Sequence, residues 1–304
     1  MLRYNDVVII LAMVAVGTVA CGSSRVAPAR ADPTRAAVPA DPIVPVRSTV
    51  VSLSEVDWQP LNPARGDASP LAGTLWGDRN GSGPTGFLFR PVNGFESPPH
   101  IHNVSYRGVV IRGLVHNDDP NAEEIWMPPG SFWTQPKGGV HITAARGDDI
   151  LAYIEIDEGP YLVRPVGEAF ESDETPVNVD ASDIVWVDAA DAMRNESTPT
   201  PASSTRAALS FLWGSPTGPQ PSGVLIRLPP ESTATMRSRG STFRGVLIAG
   251  RAQHRWGEET PGIVELGSYF SSEGGSEHEV SCAAGGSCLI YARTECGLEV
   301  RLPE

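Results

Sequence analysis

The chain has 304 residues, 40% of them hydrophobic, enough apolar material for about two packed domains. Its formal net charge of -13 argues against charge-driven binding to a nucleic-acid backbone or to anionic lipid. The 31 Gly and 28 Pro are spread along the chain and apolar runs after the first 21 residues are short, a pattern of short strands and turns rather than long helices. Basic residues are almost all Arg, with Lys137 the only lysine, which we read as coding bias.

Residues 1–21 read as an export signal: Arg3 supplies a positive start, and Val7 to Ala20 is an apolar run of 14 residues, short for a spanning helix and suited to a signal h-region. The stretch Thr18-Val19-Ala20-Cys21 resembles a bacterial lipoprotein cleavage site, which makes Cys21 the expected lipidated residue and the mature protein anchored to the cell envelope without spanning the membrane. An ordinary secretory signal or an uncleaved anchor fits the same run. Residues 22–48, rich in Ala, Pro, Arg and Ser, read as a disordered tether.

From 49 to 165 the pattern is all-β. Strands are expected at Thr85–Arg90, Tyr106–Val115, Glu123–Met127, Ile150–Ile156 and Tyr161–Arg164. Within this unit His100 and His102 stand two apart, so on a strand they point to one face. His141, from a later strand, can complete three imidazole ligands around one divalent metal. His116 has no place in this spacing and reads as a loop residue. Residues 166–183 are acidic and strand-poor, an expected connector between two domains.

Residues 184–304 repeat the first unit. Leu75-Trp76-Gly77 answers Leu212-Trp213-Gly214, and Tyr106-Arg107-Gly108-Val109 answers Phe243-Arg244-Gly245-Val246. Gly130-Ser131 answers Gly267-Ser268, and His141 answers His278, all at an offset of 137 residues without a gap. Toward the end the offset becomes 138, where Tyr153 answers Tyr291.

The spacing Gly94, His100, His102, Gly113, followed by Gly130, Pro136, Gly138, His141, resembles the two motifs of the cupin superfamily. Since both halves carry the pattern, the chain resembles a bicupin, and within that superfamily an uncharacterised two-domain bacterial group related to the anti-sigma-factor type of cupin. The resemblance implies two tandem β-barrels of the jelly-roll kind with a metal in the mouth of the first, held by His100, His102 and His141. Two positions depart from the motifs: Tyr106 stands where cupins usually have Glu, and Ala145 where they usually have Asn. Three neutral imidazoles leave a bound ion its full double charge and suit an anionic or chelating substrate. Tyr106 is then an auxiliary polar group, and Glu96, Glu123 or Glu124 could replace the missing carboxylate.

In the second copy the gapless offset sets Arg237 and Arg239 at the positions of His100 and His102. Arginine cannot ligate a metal. This half is therefore expected to be degenerate: a structural barrel that supports a homodimer, or a cationic pocket of Arg237, Arg239 and His278 for an anion. Cys282 and Cys288 flank the turn sequence Ala283-Ala284-Gly285-Gly286-Ser287 and suit a disulfide in an exported protein, with the partner of Cys296 left open. Together these features point to an exported, lipid-anchored bicupin with one divalent metal, iron or zinc. Its expected work is that of an Fe(II)-dependent dioxygenase acting on a small chelating substrate, or of a non-catalytic sensor or binding protein of the envelope.

Overall fold

The computed structural model describes residues 48–194, 203, 205–215, 217–240 and 242–302. The signal 1–21, the lipidation site Cys21 and the tether up to residue 47 lie outside the described residues. Those described fall in one compact unit, Pro39–Glu304. Among them no helix is long and apolar enough to cross a membrane.

The architecture is nearly all antiparallel β, in two jelly rolls. In the first, an eight-stranded sheet runs in the order Val177–Val179, Phe132–Gln135, Tyr106–Asp118, Ile142–Ile156, Thr85–Arg90, Leu71–Trp76, Trp58–Pro60, with Phe95–Glu96 paired to the end of Ile142–Ile156. His100–His102 forms a two-stranded ribbon with Val163–Pro165. In the second, a seven-stranded sheet runs Ser48–Val51, Tyr269–Ser272, Phe243–Ala249, Cys288–Thr294, Ser222–Leu228, Ala208–Trp213, Val187–Asp188. It is accompanied by a five-stranded sheet Gly262–Val264, Ala252–Trp256, His278–Cys282, Thr233–Ser238, Leu298–Arg301. Cys282 and Cys288 are joined by a disulfide across the turn they flank.

Alternation explains how the barrels meet. Along Thr85–Arg90, Phe87 and Phe89 face the first barrel's interior while Leu88 faces away from it. Val109, Ile111, Leu151 and Tyr153 likewise leave the interior and pack with Leu225, Val246, Ile248 and Tyr291 of the second barrel. These strands are therefore covered on both faces, which is why they read as continuous apolar runs. At the centre of this contact lies a polar network. Glu155 and Arg293 are 1% and 2% exposed and 3.5 Å apart. Tyr291 donates to Glu155 at 2.7 Å and Tyr153 at 3.1 Å. Arg293 also pairs with Asp157 at 2.7 Å and with Glu295 at 3.0 Å. Arg107 stacks on Trp213 and Arg244 on Trp76, each about 4 Å from the ring centre. In the repeat Glu155 answers Arg293 and Asp157 answers Glu295, so the network straddles a pseudo-two-fold axis.

The long strands Tyr106–Asp118 and Ile142–Ile156 bend where their register shifts around Gly113, whose φ of +76° is open to glycine without strain. At the corresponding places the second barrel breaks each into two strands. The strand-poor segment 166–183 carries one short strand. Val177–Val179 pairs with Phe132–Gln135 and closes the first barrel's sheet. Conversely Ser48–Val51, at the start of the first unit, pairs with Tyr269–Ser272 of the second barrel. Each copy thus lends its leading strand to the other, and the boundaries drawn at 165 and 184 cut across sheets. The strand expected over Glu123–Met127 reduces to one isolated pairing, Met127 with Val115.

Candidate metal centre

His100 and His102 lie on one face of their short strand, and His141 stands directly across from His100. Paired backbone bonds of 3.0 Å run between His100 and His141 in both directions, and the Gly138 N–H donates to the His102 carbonyl at 2.8 Å. Gly138 sits at φ +76°, and a Cβ there would lie 2.3 Å from the Phe170 carbonyl oxygen. The Pro136-Lys137-Gly138 turn therefore needs its glycine to bring His141 beside the other two histidines.

All three imidazoles are buried, and their ligand nitrogens lie within 4.8 Å of one another. Each Nδ1 meets a backbone carbonyl: His100 with Pro98 at 2.9 Å, His102 with Leu162 at 3.1 Å, His141 with Gly139 at 3.0 Å. A carbonyl oxygen only accepts, so in each neutral ring the single proton sits on Nδ1 and Nε2 carries a lone pair and no proton. Burial keeps the rings neutral. It lowers His141 to about 3, with His100 adding, and lowers His102 well below the usual value, with His141 and His100 adding. His100 is lowered too, by burial first, then by Arg65. The Nε2 atoms of His100 and His102 consequently face each other at 3.2 Å as two acceptors without a proton between them. Two nitrogens each about 2.1 Å from one ion would be separated by roughly 3.0–3.4 Å in octahedral or tetrahedral arrangement. The donor set fits a divalent cation, with His100, His102 and His141 as its ligands.

Tyr106 is buried with its hydroxyl 3.3 Å from His141 Nε2, and it donates to Asn117 Oδ1 at 2.8 Å. Thr143 donates to the same oxygen, and Asn117 in turn donates to Gln135. Burial raises the Tyr106 phenol, so it acts here as a neutral hydroxyl. Sequence reasoning missed Tyr161: its ring stacks on His102 with centroids 4.3 Å apart, and its hydroxyl stands 3.2 Å from His102 Nε2. It occupies no motif position, and only the return of the chain to pair with the histidine strand brings it in. Glu96, Glu123 and Glu124 are exposed, and no carboxylate joins the three-histidine group among the described residues. His116 is not in a loop. It is a buried residue of Tyr106–Asp118 whose Nδ1 meets the Ile125 carbonyl at 3.1 Å.

His100 and His102 open onto a cavity of about 90 Å³ walled largely by apolar groups, among them Phe89, Phe95, Trp133 and Ile154. Tyr106, Tyr161, Thr143, Asn62 and Arg65 supply polar atoms.

The second barrel departs from the expectation. Met236, not Arg237, lies across from His278, as His100 lies across from His141. Ser238 accordingly takes the place of His102, and Phe243 that of Tyr106. A one-residue slip moves each side chain to the opposite face. Arg237 is turned outward onto Glu299 at 2.6 Å and Glu277 at 3.5 Å, and Arg239 is exposed. The cationic pocket of Arg237, Arg239 and His278 does not form. His278 is buried, with Nδ1 2.8 Å from His254 Nε2 and Nε2 2.8 Å from Ser272 Oγ. Burial lowers His278 to about 3, with His254 adding, and His254 to about 4. Among the described residues no second group of three metal-ligand side chains forms.

The family profile described as "Domain of unknown function (DUF4437)" matches residues 49–301. The chain belongs to the DUF4437 family. No curated protein matches its sequence. Among solved structures, this DUF4437 chain is similar to a provisionally named dioxygenase of Nostoc punctiforme, at 14% identity over 86% of this chain and 89% of that one, with a TM-score of 0.56. It is similar to oxalate decarboxylase of Lactobacillus farciminis, solved as a formate complex, at 9% identity over 83% and 88%, with a TM-score of 0.54. It is also similar to the 7S globulin of Momordica charantia, at 9% over 83% and 86%, again with a TM-score of 0.54. At such identities the likeness establishes the fold alone, two tandem jelly-roll β-barrels, and the three-histidine group is placed in it by this chain's own residues.

Proposed function

We propose that the first barrel binds one divalent metal through His100, His102 and His141 and acts on a small chelating molecule, as an Fe(II)-dependent dioxygenase. The observation that carries this is the group of three buried histidines without a carboxylate, two of which, His100 and His102, open onto a largely apolar cavity. Three protein ligands leave further coordination positions for a chelating substrate and for oxygen. A dioxygenase places both atoms of O₂ in its substrate and needs no external reductant. It also needs no charged general base, and among the described residues none touches the histidines. The name of the Nostoc punctiforme neighbour runs in the same direction. Tyr106 and Tyr161 serve as neutral hydroxyls beside His141 and His102, able to orient a bound molecule. Iron is preferred over zinc on this chemistry.

The sequence resemblance to cupins related to the anti-sigma-factor type supports a second function, ligand sensing without turnover at the same metal. We infer export from the sequence, and it suits both. The signal-like run ending at Cys21 suggests lipid anchoring in a bacterial envelope, and the Cys282–Cys288 disulfide suits an oxidising compartment. The test is metal analysis of anaerobically purified full-length protein beside a His100→Ala variant. Near one equivalent of metal in the wild type and a loss of at least tenfold in the variant are expected. Equal metal content in the two would remove the site. Oxygen uptake by the iron form on addition of substrate separates the dioxygenase from the sensor.

A further inference from the structure

The cavity beside the histidines is charged on one side only. Its lining contains no carboxylate, and Arg65 is its one Lys or Arg. In a chain of net charge -13 that selection is informative. Arg65 is half-buried, and among the described residues it has no ion pair. Its guanidinium lies over the Phe95 ring at 5.4 Å, and one Nη2 contact, at 3.5 Å, reaches the Glu96 carbonyl. Most of its five N–H donors are uncommitted by these contacts.

The segment that carries Arg65 is tied down. Asn62 caps the short 3-10 turn Pro63–Ala68 by accepting from the Ala64 N–H at 3.2 Å, and the Arg65 N–H donates to the Asn62 carbonyl at 3.0 Å. The Leu61 N–H donates to the Pro70 carbonyl at 2.8 Å, and the Asn62 N–H to Ser69 Oγ at 2.9 Å, closing the loop at its base. An arginine on a closed loop, facing a mostly apolar hollow, is pre-organised for a planar acid group.

We propose that Arg65 is a specificity-determining residue that receives a carboxylate of the ligand, so that the molecule taken by this site is a small organic acid with one end at the histidine centre and its acid end at the cavity mouth. This rests on the metal site proposed above. Room for water at roughly 10–15 Å³ each limits the 90 Å³ cavity to a ligand of several heavy atoms. The apolar wall suits a hydrocarbon body between the two ends, and the acid class follows from the cation alone.

The experiment uses the full-length, metal-loaded protein and calorimetric titration with linear dicarboxylates from malonate to adipate, each compared with its half-amide. One carboxylate can meet the metal in both members of a pair; only the diacid offers a second one to Arg65. At least one chain length should bind roughly ten- to hundredfold more tightly as the diacid, as a charge-assisted hydrogen bond provides. In Arg65→Met, which keeps the stem on Phe95, the preference should fall below about threefold, with metal content and melting temperature unchanged; Arg65→Lys should retain part of it. Metal bound at wild-type level with no diacid preference at any length would overturn the role of Arg65 alone. A protein that holds no metal would overturn the site itself, and the inference with it. If Arg65→Met does not fold, Arg65→Lys decides by whether it weakens the preference without changing metal content.

Discussion

Replacing Arg293 with Met tests the join between the barrels. Arg293 is 2% exposed and neutralises three carboxylates, Asp157 at 2.7 Å, Glu295 at 3.0 Å and Glu155 at 3.5 Å. Two of these keep another cation when it is gone: Asp157 retains Arg107 at 2.7 Å, and Glu295 retains Arg244 at 2.7 Å. Glu155 does not. It is 1% exposed and would be left with two tyrosine hydroxyls and Arg107 at 3.9 Å. Breaking a buried pair from one side costs about 3–5 kcal/mol, and the surviving contacts place this case near the lower end. At about 2–4 °C per kcal/mol for a chain of this class, the melting temperature should fall by roughly 6–12 °C. Urea unfolding of the full chain measures the loss directly. In Arg293→Met with Glu155→Gln the orphaned charge is gone, and most of the loss should return, because the amide oxygen still accepts from a tyrosine. A single-variant loss under about 1 kcal/mol, or no recovery in the double variant, would show that the network does not hold the barrels together.

Two further outcomes follow from the two barrels. His254 and His278 have folded-state pKa values of about 4 and about 3, below the ordinary 6.5, so protons favour the unfolded chain. Their contribution is complete above pH ~6.5 and is lost as the pH falls toward those values, by up to about 1.4 kcal/mol per pH unit for each ring; a urea midpoint that stays constant between about pH 7 and pH 5 would contradict this. Tyr106→Phe should keep its metal and lose only about 1 kcal/mol of stability, since Thr143 still donates to Asn117 and the second barrel has Phe243 at the equivalent place; loss of metal in that variant would make the phenol a ligand rather than a neighbour of His141.

The fold and the three histidines were legible because each rests on spacing. A period of two sets His100 and His102 on one face, and the repeated Trp-Gly, Arg-Gly and Gly-Ser groups mark equivalent strands. The second site was misread because the repeat hides two compensating length changes. Eight residues separate Arg227 from Met236 where nine separate Arg90 from His100, and one more residue between Ser238 and Phe243 restores the offset. A gapless alignment therefore put Arg237 where Met236 belongs, and alternation turned that slip into the wrong face. Tyr161 and Arg65 carry no spacing signal, since loops before the first motif and after the second bring them to the cavity. The exchanged strands Ser48–Val51 and Val177–Val179 are too short for periodicity to register, and their partners lie in the other copy.

That exchange has a consequence for the chain's history. A half ending at residue 165 would leave Phe132–Gln135 as a bare edge and carry Ser48–Val51 with no sheet to enter; the complementary half would lack Ser48–Val51. Deleting either copy therefore unmakes a sheet in the survivor. The second barrel has Met236 and Ser238 where the first has two histidines, yet it cannot be discarded. Its sequence is constrained along its pairing edge and its buried face, and less so around Met236 and Ser238. Divergence in this duplicated chain is accordingly expected to concentrate inside the silent barrel's mouth, while the seam between the copies changes only in matched pairs.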